Sequence, residues 1–318
     1  MSIKSNFLVL ALILLGFNVQ AQRLQMSFSD PLADESLTNN FVSDILQDSI
    51  GNIWIATRDG LNAFDGYTVK KYKNNPVDSL SLVNNNIQDL FLDNSGRLWV
   101  GTNVGLCRYN FYKDNFEILV SESDFADLIS PHITSISQDR NGLIYVTTEN
   151  RIYTYNEEEQ SFHDFMQIEK GEVSKLIFDE YNNLWIGATQ GGGIHFLDRS
   201  TGEIKKYFSD KNDPTTLSNN DVRDIVLWDN KLWASTYGGG INVMNLETGI
   251  FREYTTEGAY DMFSLSLFVD KNERLWTCDL TGFKLFDKQI NGFYSYYPNS
   301  NDVNSIKENP VLIFQDRQ

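Results

Sequence analysis

The sequence predicts an all-β fold, a β-propeller of four-stranded antiparallel blades with six complete blades and parts of a seventh. The first observation is a phrase of an apolar residue, Trp or Tyr, an apolar residue and small residues. It recurs as IWIAT, LWVGT, IYVTT, LWIGA, LWAST and LWTCD, with its aromatics at Trp54, Trp99, Tyr145, Trp185, Trp233 and Trp276. The second is the spacing: intervals of 45, 46, 40, 48 and 43 residues mark a repeat architecture. The third is the content of each repeat, four short β-prone runs separated by Gly, Asn and Asp turn clusters. Four such strands cannot bury two faces alone, whereas units set radially pack face against face and leave only short edges. A linear β-solenoid is the competing architecture, but its repeats are usually shorter.

The second repeat justifies the strands in order. Ile87 to Asp93 mixes apolar and polar positions as an inner strand, and Asn94-Ser95-Gly96 turns the chain, with Gly free to take positive φ. Arg97 to Thr102 is the second strand, Asn103-Val104-Gly105 reverses it, and Leu106 to Tyr109 and Phe116 to Ile118 supply the third and fourth. The Asp closing the first strand recurs as Asp48, Asp93, Asp139, Asp179, Asp229 and Asp270 and is expected to cap its turn. The aromatic follows six residues later except in the fifth repeat, where Asp229-Asn230-Lys231 shortens the turn by two. Gly51, Gly96 and Gly142 take the positive-φ place, with Asn182 as the substitute. The recurring aromatics read as wedges between neighbouring blades, not as ligand platforms.

The ends are read separately. Lys4 precedes an apolar run from Phe7 to Phe17, and Val19-Gln20-Ala21 offers a small-x-small cleavage site, the pattern of a secretory signal peptide. Residues 1–21 are therefore expected to be removed, leaving a propeller over 22–318. The alternative, an uncleaved anchor, has an apolar centre short for a bilayer. At the other end Val311 to Asp316 reproduces Ile45-Leu46-Gln47-Asp48, the opening of a seventh unit, and Leu24 to Phe28 resembles an outer fourth strand. The expectation is a fragment or truncated product, incomplete at the C-terminus.

The 318 residues carry a formal charge of −17, which becomes −18 once Lys4 is lost with the leader. An acidic surface repels nucleic acid and anionic membranes, so no nucleic acid is expected as a partner. Cys107 and Cys278 fall in different slots of distant repeats, against a disulfide. Three scattered histidines, His132, His163 and His195, give no zinc signature, and no aspartate set forms a calcium loop, so neither metal nor cofactor is expected. Gly191-Gly192-Gly193 and Gly238-Gly239-Gly240 read as backbone requirements, since no helix follows to make a phosphate cradle.

Runs such as QDSIGNIWIATRDGLNAFDG, DPTTLSNNDVRDI and LWASTYGGGINVMN resemble two-component regulator propeller repeats, over essentially all of residues 30–318. The resemblance implies the periplasmic sensor region of a hybrid two-component histidine kinase of Bacteroidetes. It also implies an oligosaccharide or other carbohydrate-derived ligand, downstream sensor and kinase domains on the native polypeptide, and a homodimer as a further partner. None of the three histidines lies in a phosphoacceptor helix context and no nucleotide box is present, so the chain itself is expected not to be an enzyme.

Strand alternation puts the first-to-second and third-to-fourth turns on one face. The second-to-third turns and the between-blade connections lie on the other. The connections, Asn74 to Asn86, Ser209 to Asn220 and Pro298 to Asn309, are long and variable, as ligand-bearing loops tend to be. On that face Arg58, Asp59, Asn103, Glu149, Gln190, Tyr237 and Thr281 are the candidate ligand-binding residues, because amides, charges and a Tyr suit a hydroxyl-rich ligand. The bland alternative is a set of ordinary solvated turn residues. Competing functions are a secreted propeller enzyme acting on polysaccharide, with two carboxylates meeting across the channel, and a protein-interaction scaffold.

Overall fold

The computed structural model describes residues 36–120, 132–254, 263–299 and 312–317. Within them lie six four-stranded antiparallel sheets, each built from strands consecutive in sequence, and no helix. They span residues 42–72, 87–120, 133–167, 173–207, 222–254 and 264–296, here blades 1 to 6. The first strands, Val42–Gln47, Ile87–Leu92, Ile133–Gln138, Val173–Phe178, Val222–Trp228 and Ser264–Val269, contact one another in succession and form the inner wall of the propeller. The predicted leader over 1–21, the strand Leu24 to Phe28 and most of the connection 298–309 lie outside the described residues.

The core sits between blades. The second strands are buried along their length, and Trp54, Trp99, Tyr145 and Trp233 are among the largest fully enclosed side chains. Trp54 packs with Leu90, Tyr109 and Phe116 of the next blade, the wedge that the repeat period predicts. Burying such a ring contributes about 2–3 kcal/mol, more than any turn contact in the same repeat.

Asp48, Asp93, Asp139 and Asp270 each cap the first turn with one carboxylate oxygen. The Asp48 Oδ1 accepts from the backbone N–H groups of Ile50, Gly51 and Asn52. Its other oxygen accepts from the Trp54 indole at 2.8 Å, and the same clasp joins Asp93 to Trp99 at 2.9 Å and Asp270 to Trp276 at 2.8 Å. This explains the six-residue spacing. Asp179 caps its turn in the same way but spends the second oxygen on Asn183.

Blade 5 corrects one expectation. Asp229 is not a cap: it and Asn230 have φ of 53° and 55°, a two-residue hairpin in which Trp228 pairs directly with Lys231. The carboxylate instead meets Lys231 and Lys288, and the Trp233 indole N–H is left without a partner among the described residues. Gly51, Gly96, Gly142 and Asn182 do take positive φ, as expected. Gly192 and Gly239 are backbone requirements: a Cβ would lie 2.5 Å from that of Ala188 in one case and 2.3 Å from the Ser218 hydroxyl in the other.

The segment 312–317 sits where a seventh inner strand belongs. In blade 2 the Asn94 N–H donates to the Gln138 side chain of blade 3, linking the residue after one capping Asp to the residue before the next. The same bond runs from Lys271 of blade 6 to Gln315, and from Arg317 to Gln47 of blade 1. Ile313 adds an apolar contact to the blade 6 cluster. The two cysteines are free and buried.

Candidate functional site

Every inner strand carries a β-bulge at the same place. It skips Ser43, Gln88, Thr134, Ser174, Arg223 and Leu265 in the pairing with the second strand. A bulge re-aims the residue that follows it. Those residues are Asp44, Asp89, Ser135, Lys175, Asp224 and Ser266, and they line the axis. Their charges meet there: Lys175 of blade 4 interacts with Asp224 of the next blade and with Asp89 and Asp44 of blades 2 and 1. The carboxylates also stitch blades. Asp44 accepts from the Leu90 N–H, Asp89 from Ile136 and Asp224 from Leu267, at 2.8, 2.6 and 2.8 Å.

Burial pushes the carboxyls of Asp44 and Asp224 above their ordinary range. Burial and the neighbouring Asp44 raise Asp89 to about 7. Burial opposes the charge on Lys175, but the three carboxylates outweigh it and hold the ammonium protonated. The sequence reading missed this constellation, because Asp44, Asp89 and Asp224 pass for ordinary polar positions of alternating strands. The bulge that gathers them leaves no mark in a single repeat. Aligning the residues four before the capping Asp gives Asp44, Asp89, Ser135, Lys175 and Ser266, a column of mixed charge that misses Asp224.

The seven sequence-predicted residues stand on the second-to-third turns, one or two per blade, spread around one face and not gathered in a pocket. Arg58 lies over the Phe41 ring at 3.5 Å, and Asp59 pairs with Lys73 at 2.7 Å. Asn103 donates its backbone N–H to Asn86, and the Glu149 carbonyl accepts from Val173, so these turns are sewn to the connections between blades. Gln190 bonds the Glu172 carboxylate at 3.1 Å. Thr281 bonds Asp279 through both its N–H and its hydroxyl. Tyr237 is the one large exposed aromatic of the set, 40% accessible, against Phe263 and under the Arg223 guanidinium. That half-open ring flanked by a cation is the best platform the face offers.

The opposite face holds two grooves, of about 480 Å³ between blades 5 and 6 and about 490 Å³ beside Arg97, Glu157 and His163. Neither is lined by any of the seven residues. Among the described residues no three His, Cys, Asp or Glu side chains form a metal cluster. Burial raises the thiols of Cys107 and Cys278 to about 12 and about 11, and burial lowers the imidazole of His195. These groups are therefore poor nucleophiles or bases.

Comparison with known proteins agrees with this architecture. Residues 36–59 and 81–104 match the family model of the two-component regulator propeller. Over 73 residues the chain is 44% identical to Histidine kinase P4 of Formosa agariphila, a stretch that is 23% of this chain and 5% of the kinase. The extracellular domain of the hybrid two component system BT3049 from B. thetaiotaomicron superposes with a TM-score of 0.73 at 25% identity, over 88% of this chain and 38% of that one. Virginiamycin B lyase from Staphylococcus aureus shares the fold alone, at 16% identity and a TM-score of 0.65 over 84% of this chain and 88% of its own. The chain thus spans well under half the length of the sensor and kinase it matches. Clasped turns, radial blades and matched repeats together make it a propeller that is similar to the two-component regulator propellers and carries their repeat at residues 36–59 and 81–104.

Proposed function

We propose that this chain is the extracytoplasmic sensing propeller of a hybrid two-component system, linked in its native polypeptide to kinase domains and responsive to a carbohydrate-derived ligand. The observation that carries this reading is the likeness along 88% of the chain to the extracellular domain of such a system, joined to the family repeats. The leader-like residues 1–21 support export, with the periplasm as the destination. The ligand is assigned to the face of the second-to-third turns, where Tyr237 offers a ring, Arg58 a guanidinium, and Asn103 and Gln190 amides, each from its own blade. A propeller of this kind holds a ligand and transmits its presence, while phosphoryl transfer belongs to the downstream domains.

Calorimetry of the purified propeller against a panel of defined oligosaccharides tests the reading. Saturable binding of one of them, weakened about tenfold or more by Tyr237→Ala, is the expected result, since an aromatic platform is commonly worth more than 1 kcal/mol. Depolymerisation of the oligosaccharide would assign an enzyme instead. Absence of binding across the panel would remove the carbohydrate ligand.

A further inference from the structure

The groove between blades 5 and 6 lies beside the blade whose first turn departs from the repeat. Its wall is one face of the blade 5 sheet, read at strand period: Lys231 and Trp233, then Val243 and Asn245, then Ile250, Arg252 and Tyr254. Phe286, Lys288 and Asn291 of blade 6 face it. The lining carries three cations and one carboxylate, Asp229, on a protein whose formal charge is −17.

The groove between blades 1 and 2 shows what the same place looks like when it is full. Pairing runs Trp54, Ala63, Lys70 across blade 1 and Trp233, Val243, Arg252 across blade 5, so Lys70 and Arg252 hold one position. Tyr72 and Tyr254 each end a fourth strand. Asp114 and Asn291 each precede a fourth strand with positive φ, 56° and 50°. In the blade 1–2 groove the Asp114 carboxylate pairs with Lys70 and accepts from the hydroxyls of Tyr72 and Tyr109 at 2.7 and 2.6 Å. Phe111 covers Trp54 from the same turn.

In the blade 5–6 groove each of these plugs is gone. The acid is an amide, Asn291, which accepts from the Tyr254 hydroxyl at 2.6 Å. Phe286 stands where Tyr109 would donate. Lys288, at the place of Phe111, leans away to Asp229 and over the Trp228 ring at 4.6 Å. Arg252 makes no ion pair among the described residues, and its guanidinium rests 4.9 Å from the Tyr254 ring. A guanidinium resting against an aromatic ring and outside any ion pair keeps its planar donors available to a carboxylate.

We propose that the blade 5–6 groove binds a small organic carboxylate, whose charged group meets Arg252 where Asp114 meets Lys70 and whose apolar face lies against Tyr254, Ile250 and Phe286. The site is separate from the second-to-third turn face and stands whether or not that face binds a saccharide.

Calorimetry with benzoate and glucuronate, set against the neutral benzamide and glucose, tests it on the purified protein. At least one anion binds saturably, about tenfold or more tighter than its neutral counterpart, the size expected for one charge-assisted contact. Arg252→Gln weakens that binding to a similar degree. Asn291→Asp supplies the missing carboxylate from within, as Asp114 does, and abolishes binding while the melting temperature holds or rises. Failure of both anions to bind at up to about 10 mM, a free energy weaker than one such contact provides, overturns the proposal. Binding that survives both substitutions overturns it equally.

Discussion

One hydrogen bond decides how much a wedge aromatic contributes beyond its area. The Trp99 indole N–H is buried and donates to Asp93, which Arg97 also holds at 2.6 Å. Trp233 is equally enclosed, but its N–H has no partner among the described residues. Trp99→Phe therefore removes a satisfied pair and strips Asp93 of a donor, whereas Trp233→Phe deletes a group that was buried at a cost. The expected difference is about 1–3 kcal/mol, with Trp99→Phe the more destabilising, measured by urea denaturation of the two variants. Equal losses would mean that the clasp adds nothing to packing. The Trp and the Asp were both legible in the repeats, and their spacing of six was legible as a number. Its cause was not, because the clasp is a side-chain geometry that appears only when the turn closes.

The turns repeat the lesson at the scale of the element. Five blades close their first hairpin on a capped turn, and blade 5 closes it on Asp229-Asn230, with both residues in the left-handed region. The sequence shows a shortened turn, but not that one turn type is exchanged for another and that Trp228 takes the place of the capping Asp. A turn of this kind favours Gly at its second position, so Asn230→Gly is expected to stabilise the protein by a few tenths of a kcal/mol up to about 1 kcal/mol. Thermal denaturation reads the effect, and a lower melting temperature would contradict the turn assignment. The strands themselves were readable because short alternating runs and Gly-rich turns are local signals. Which loop residues gather and which stay apart was not. The seven candidates sit on separate blades, and their distances follow from closure of the ring, not from any one repeat.

Across the whole molecule, the axis is where blades share charge. Asp89 is raised to about 7 by burial and by Asp44, from an ordinary 3.8. The folded state thus holds a proton that the unfolded state has already released, and the associated stability is present below about pH 4 and lost as pH rises through 7. Asp89→Asn keeps an oxygen for the Ile136 N–H and removes the titration. The melting temperature of this variant is expected to match that of the wild type near pH 4 and to exceed it increasingly up to pH 8, as read by scanning calorimetry. A gain that does not vary with pH would contradict the axial placement. The propeller as a whole was legible from its period, since packing of like units requires like sequences. The charged axis was not, since it belongs to no single blade.

The bond from Arg317 to Gln47 joins residues 270 positions apart, the longest span of any hydrogen bond among the described residues. Nearly everything else in a blade is settled between neighbours along the chain, so blades assemble quickly and cheaply in entropy. Closing a loop of 270 residues costs more chain freedom than closing a hairpin, and among the described residues the contacts that reward it include those joining Arg317 to Gln47 and Asp48. The seam between blade 6 and blade 1 is therefore expected to form after the blades themselves, which hydrogen exchange during refolding would read as late protection at Arg317.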